Sequence, residues 1–304
     1  MASGGEMLRC TIVIPTHNRD ELLIRAVRSA LNACPQDGEV LVVDDASVVP
    51  ASQVLGDISD ARLRVIRHQG RSGAASARNA GVSAAAGEWI FFLDDDDEIV
   101  ADYCSRVLGP GGGASYAEWG FSSSVQRVVD PQGDSVRTRK RLKQGMTRRT
   151  IHVRDAVAAL SDGFWIRRRS FIAAGGLDPE QRVDEDTDLC MRLRSKSLWP
   201  WYEATPGMVV YRGYTPAHEN GAQLTVSTPA DVVLACYRRT FDKFMKTDRS
   251  DWAARWFLAT RYIRRAVKSG RERDAMGFAI AQSPWIWTLF LAIYARTKLW
   301  SHRR

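Results

Sequence analysis

Over roughly the first hundred residues, short β-branched runs that break off into polar residues alternate with segments of helical period, and this alternation limits the fold more than any other feature. Cys10 to Pro15 (CTIVIP) is such a run, closed by proline. Glu21 to Ala33 then sets Leu22, Leu23, Ala26, Val27, Ala30 and Leu31 at helical spacing. Val40 to Val43, followed by Asp44 and Asp45, repeats the strand, and Leu63 to Ile66 offers a third. The alanine-rich Ala74 to Ala86 suits a helix stopped by Gly87, and Trp89 to Leu93 reads as a fourth strand. Such β/α alternation calls for a mostly parallel sheet with helices on both faces, and in those sheets ligands bind beyond the carboxyl ends of the strands. The polar groups gather at those ends: Thr16, His17, Asn18 and Arg19 after the first strand, Asp44 and Asp45 after the second, Asp94 to Asp97 after the fourth. Three loops are therefore expected to converge on one rim.

A chain of 304 residues has room for one large α/β domain with an extension. Its five cysteines are scattered and form no CxxC pair, which fits a reducing, cytoplasmic setting. The start (MASGGEMLRC) lacks a secretory h-region, and the apolar stretch Pro284 to Ala295 is shorter than the ~20 residues that span a bilayer. The net charge of +8 directs the protein toward anions: nucleic acid, anionic lipid or a phosphate-bearing substrate. Neither zinc-finger spacing nor an aromatic single-strand-binding motif is present, so nucleic acid is set aside.

The run FFLDDDDE (Phe91 to Glu98) concentrates four aspartates after a buried strand. Adjacent carboxylates repel unless a cation neutralises them, and oxygen ligands on such a loop suit Mg²⁺ or Mn²⁺ beside substrate phosphates. Asp96, Asp97 and Glu98 would equally cap a helix running from Ile99 to Leu108.

Four segments, IVIPTHNR (Ile12 to Arg19), VVDDAS (Val42 to Ser47), SGAASARNAGVSAAAGEWIFFLDDDD (Ser72 to Asp97) and DEDTDLCMRL (Asp184 to Leu193), stand in one order along the chain. In that order they resemble the family-2 glycosyltransferases with the GT-A fold, inverting enzymes that use nucleotide-sugar donors. The resemblance implies a GT-A domain over 1–228, with a nucleotide-binding half (7–108) and an acceptor-binding half (109–228), followed by a basic, aromatic-rich helical extension over 229–304. It implies metal-dependent transfer of a hexosyl or N-acetylhexosaminyl group, from a UDP-sugar, to a hydroxyl of a glycan or lipid-linked saccharide in cell-surface polysaccharide synthesis.

The same resemblance assigns residues. Asp96 takes the metal, Asp94 and Asp95 face the ribose and sugar, and Asp97 extends the motif as a helix cap. Asp45, with Asp44 beside it, accepts a hydrogen bond from the uracil ring, a sensible use of an ionised acceptor. Pro15, Thr16, His17 and Arg19 form the nucleotide loop. Gly73 permits close backbone approach, and Arg78 with Asn79 hold the nucleotide side, unless Arg78 is only a helix-surface ion pair. Inverting displacement needs one carboxylate to deprotonate the attacking hydroxyl, and the match makes Asp186 that base, with Glu185 beside it on the acceptor side. Asp184 stands where many members carry glycine. Trp165 matches the acceptor pocket, where it either stacks on a sugar or packs in the core. His218 is a further metal ligand or an ordinary loop histidine.

Beyond Pro229, amphipathic segments interleave tryptophan with arginine, including Trp252, Trp256, Trp285, Trp287 and Trp300. They either lie on the anionic inner face of the cell membrane or pack as helices on the core. Two other readings compete with the enzyme. A non-catalytic nucleotide-sugar or metal-binding module would not need Asp186 together with Asp96. A sugar nucleotidyltransferase would open with a glycine-rich, lysine-bearing loop where IPTHNR stands.

Overall fold

A computed structural model describes residues 8–128, 135–139, 142–147, 153–212, 228–248, 250–282 and 284–301. The alternation predicted for the N-terminal part is present: β1 (Leu8–Thr16), α1 (Asp20–Ala33), β2 (Gly38–Asp44), α2 (Ala51–Val54), β3 (Leu63–Arg67), α3 (Ala74–Ala84) and β4 (Gly87–Phe92). There follow β5 (Glu98–Ile99), α4 (Tyr103–Leu108), β6 (Trp119–Val128), β7 (Ser135–Arg139), β8 (Gly145–Met146), β9 (Trp165–Arg167), α5 (Arg168–Ala173), α6 (Glu185–Ser195) and β10 (Trp201–Arg212). The chain closes with α7 (Ala230–Thr247), α8 (Trp252–Lys268), α9 (Glu272–Gln282) and α10 (Pro284–Ser301).

The strands form one sheet in the order β3-β2-β1-β4-β9-β6-β10-β5, with β7 on β6 and β8 on β10. Strands β3, β2, β1 and β4 are parallel, so their carboxyl ends share one rim. Strand β9 runs antiparallel between β4 and β6 and thereby joins the two halves of the sheet.

Both faces are covered, as the even apolar character of β1, β2 and β4 requires. Val13, Val43, Ile90 and Phe92 face one cluster, whereas Ile12, Ile14, Val40, Val42, Trp89 and Phe91 face the other. Helix α3 lies very close to the sheet: a Cβ on Gly81 would come within 2.4 Å of a Val13 methyl. The small residues predicted to mark a helix are thus also what lets it approach the strands.

Strand β6 runs unbroken through Ser122, Ser123 and Ser124, which are buried within it, with the Ser123 hydroxyl donating to the Ala204 carbonyl at 2.9 Å. One expectation needs correction. The helix foreseen from Ile99 starts only at Tyr103, because Glu98 and Ile99 pair with β10 instead.

The C-terminal helices share the core on one face of the sheet. Phe241, Phe244, Leu258, Ile263, Phe278 and Phe290 are buried in the cluster that also contains Leu189 and Leu193 of α6. Packing on the core is therefore one of their roles. Among the described residues, no helix is long and apolar enough to cross a membrane.

Candidate active site

The loop after β1 is pinned by polar contacts. His17 pairs through Nδ1 with the Asp45 carbonyl at 2.8 Å, and Asn18, with φ of 54°, donates its N–H to Ser47 Oγ and accepts from the Val48 N–H. Arg19 leaves this loop to contact the aspartate run: its guanidinium lies 2.6 Å from Asp96 and 3.1 Å from Asp95. Thr16 is buried at the end of β1, and Pro15 pairs in register with Val43 inside the sheet.

The two aspartates after β2 part ways. Asp45 accepts from the Ser72 N–H and hydroxyl through one oxygen, and from the Gly73 N–H through the other, with His68 2.9 Å away. Burial works against its charge, but the hydrogen bonds from Ser72, His68 and Gly73 prevail and hold its pKa at about 2. An ionised, preorganised acceptor results at the rim. Asp44 is buried beside it: its oxygens receive the N–H groups of Ser47 and Ala51 and the Arg67 guanidinium, so it locks the loop to the start of α2.

Gly73 has φ of +90°, so glycine serves the backbone turn that aims its N–H at Asp45, and a Cβ there would meet no protein atom within 4 Å. Asn79 staples α3 to the chain at Leu177: its amide donates to the Leu177 carbonyl and accepts from the Leu177 N–H.

The four aspartates divide as follows. Asp95 is 8% exposed, and burial, against the nearby Arg19, lifts its pKa to about 7. Asp94, Asp96 and Asp97 each offer one oxygen, all within 4.8 Å of one another. Three hard oxygen donors at that spacing suit Mg²⁺ or Mn²⁺. Asp97 is therefore not a helix cap: it is buried, accepts from the Tyr211 N–H at 3.0 Å, and is pushed up by burial and by the charges of Asp94 and Asp96. Glu98 does not cap a helix either, since it accepts from the Tyr211 hydroxyl at 2.5 Å, while Arg25 stacks 3.8 Å over that ring. His218 lies outside the described residues.

Arg78 joins the donor and acceptor sides. From α3 its guanidinium reaches Asp94 at 2.5 Å and Glu185 at 3.1 Å, with the side chain 8% exposed. The alternative of a helix-surface ion pair is thereby excluded. Burial raises Glu185 to about 7, against the opposing charge of Arg78, and burial likewise raises Asp186 above the usual aspartate range. One oxygen of Asp186 accepts the Thr187 N–H at 2.6 Å.

Trp165 is the clearest correction on the acceptor side. It is wholly buried, its ring 5.5 Å from that of Trp89, and a Cβ on Gly113 or Gly120 would come within 2.6 or 2.4 Å of it. Lying on β9 between two strands, it packs in the core and cannot stack on a sugar. Sequence reasoning missed Asp97 as a partner of Asp94 and Asp96, and His68 and Ser72 as the supports of Asp45. No periodic signal marks the last two.

This mixed sheet, with its aspartate-lined rim and C-terminal helices, is a GT-A fold. A solved structure described as Staphylococcus aureus TarS in complex with UDP-GlcNAc matches it with a TM-score of 0.65 over 94% of this chain and 79% of that one, at 16% identity. The family model "Glycosyl transferase family 2" matches residues 11–175, more than half of the chain, and the protein belongs to that family. Among its relatives, the succinoglycan biosynthesis protein ExoO of Rhizobium meliloti is 38% identical over 32% of this chain and 28% of its own length. An uncharacterized glycosyltransferase of Haemophilus influenzae is 26% identical over 64% of each chain. A Campylobacter jejuni protein named GalNAc(5)-diNAcBac-PP-undecaprenol beta-1,3-glucosyltransferase is 32% identical over 34% of each. The matches thus span between 28% and 64% of the length of these curated relatives.

Proposed function

We propose that this protein transfers a hexosyl or N-acetylhexosaminyl group, with inversion, from a UDP-sugar to a hydroxyl of a glycan or lipid-linked saccharide during cell-surface polysaccharide synthesis. The observation that carries this reading is the Arg78 bridge, which brings the aspartate run and the Glu185–Asp186 pair to one site. The names of the relatives, with their succinoglycan and undecaprenol-linked chemistry, and the UDP-GlcNAc complex of TarS support the choice of donor and acceptor. In this reading Asp45 receives the uracil N–H, and Arg19 turns from Asp95 and Asp96 toward the donor diphosphate. Asp186 takes the proton of the acceptor hydroxyl, with Glu185 held beside it by Arg78. Asp94, Asp96 and Asp97 would hold Mn²⁺ or Mg²⁺, which when bound supplies charge neutralisation at the leaving diphosphate.

A panel of nucleotide sugars with Mn²⁺, scored by nucleoside diphosphate release, tests the reading. Turnover confined to UDP donors is expected, with Asp45→Asn weakening UDP affinity about tenfold or more, the scale of one charge-assisted hydrogen bond. Release from no donor would end the proposal.

The acceptor side includes contact with the cytoplasmic face of an anionic membrane. Residues 229–304 contain 16 Lys and Arg against 6 Asp and Glu, a net of +10, which leaves −2 on the remainder of a chain whose total is +8. Trp252, Trp256 and Trp285 are 75%, 41% and 77% exposed and line one apolar pocket with Arg255 and Ile286. Exposed tryptophans beside cations suit the headgroup layer. Because the buried faces of α8 and α10 belong to the core, the test is a surface variant of the full chain. Trp252→Ser, Trp256→Ser and Trp285→Ser together should abolish flotation with phosphatidylglycerol vesicles, and undiminished flotation would refute the contact.

A further inference from the structure

The turn that starts α6 is strained. Asp184, the residue just before Glu185 and Asp186, has φ of 68°, a left-handed conformation suited to glycine and disfavoured for a side chain bearing a Cβ. Such a conformation persists only where neighbours over-determine it. Here the carboxylate is the handle. One Asp184 oxygen accepts from the Thr187 hydroxyl at 2.7 Å and from the guanidinium of Arg261, which projects from α8 in the C-terminal extension, 77 residues further along the chain. Arg261 is itself held, its guanidinium 4.8 Å over the Tyr237 ring and 5.5 Å from that of Phe257. The Asp184 side chain is 6% exposed, so loss of the cation would leave a buried carboxylate whose remaining side-chain donor among the described residues is the Thr187 hydroxyl.

Two arginines therefore grip consecutive acidic residues from opposite parts of the chain: Arg78 of α3 holds Glu185, and Arg261 of α8 holds Asp184. Asp186 follows directly, and both cations bear on its charge. We infer that Arg261 is a positioning residue for the transfer reaction: by holding the Asp184 carboxylate it maintains the left-handed turn from which α6 presents Glu185 and Asp186, and so makes the catalytic loop depend on the helical extension. The inference rests on the reading of Asp186 as the general base, but it concerns the order of the turn, which can be measured without turnover.

The test uses the full chain with Arg261→Met, Arg261→Lys, Asp184→Gly and the double variant Arg261→Met/Asp184→Gly. Amide hydrogen exchange is followed over residues 183–190 alongside kcat and the donor KM. Arg261→Met should speed exchange in that segment on the order of tenfold or more and lower kcat by a similar factor or more, the scale of an ångström-level misplacement, with donor KM within about twofold. Arg261→Lys should recover part of both. The double variant should recover most of kcat relative to Arg261→Met, because glycine adopts the turn without strain and leaves no orphaned carboxylate; it also serves if Arg261→Met alone fails to fold. Wild-type exchange and kcat in Arg261→Met, or no gain on adding Asp184→Gly, would overturn the inference. Full activity in Asp186→Asn would overturn the assignment of the base instead, and the exchange data would still decide whether Arg261 holds the turn.

Discussion

Replacing Asp186 with asparagine should lower the rate of sugar transfer by about 10²- to 10⁴-fold, the usual contribution of a general base, and leave UDP affinity within a factor of about two. The side chain keeps its shape and its place after Glu185, but an amide cannot accept the acceptor's proton. Nucleoside diphosphate release and calorimetric titration of UDP would separate the two effects. The wild-type pH profile should carry the same information. Burial raises the Asp186 pKa above the usual aspartate range, against the cations Arg261 and Arg78. A base must be ionised, so the rate should fall as pH drops through that raised value, and the acid limb should lie above the range in which an ordinary aspartate titrates. Asp186→Asn should flatten that limb in whatever activity survives. A variant that transfers sugar at the wild-type rate would remove Asp186 from the role.

Asp96→Ala should abolish saturable Mn²⁺ binding in the presence of UDP and lower transfer by about 10³-fold or more, without unfolding the protein. The charges of Asp94 and Asp96 disfavour ionisation of Asp97 within 4.8 Å of them, so removing Asp96 relieves repulsion in the metal-free protein. Arg19 retains Asp95 as a partner at 3.1 Å, so no cation is stranded. The melting temperature without metal should therefore stay level or rise while metal binding is lost, a combination that general misfolding does not produce. Calorimetry or the Mn²⁺ paramagnetic signal would measure it. Affinity for Mn²⁺ in the wild type should also rise with pH, because burial and the charges of Asp94 and Asp96 raise the pKa of Asp97, which must lose its proton before it can bind a cation. Unchanged Mn²⁺ affinity in Asp96→Ala would exclude this cluster as the metal site.

The relation between the two arginines and the two sites explains why some residues were legible from the sequence and others were not. Asp45 and Asp96 could be foreseen because the carboxyl ends of parallel strands must share a rim, and those residues follow the strands directly. Asp44 follows β2 just as closely, yet its oxygens go to Ser47, Ala51 and Arg67. Nothing in a linear pattern shows which donors each of two adjacent carboxylates will take, because hydrogen-bond direction is set by the turn. Trp165 was ambiguous for a related reason. A three-residue strand carries too short a pattern to reveal whether both its faces are covered, and only the placement of β9 between β4 and β6 buries the ring.

By itself the sequence determined the alternation of β1 to β4 with their helices, the gathering of carboxylates at one rim and the helical, cationic nature of residues 229–304, because these follow from side-chain period and from the chemistry of adjacent residues. Tertiary structure alone decided that Arg78 spans Asp94 and Glu185 and that Arg261 closes on a left-handed Asp184. The physical reason is separation along the chain. Ion pairs between residues 77 or 107 positions apart depend on how helices pack against a sheet, and that packing is a property of the folded core rather than of any one segment.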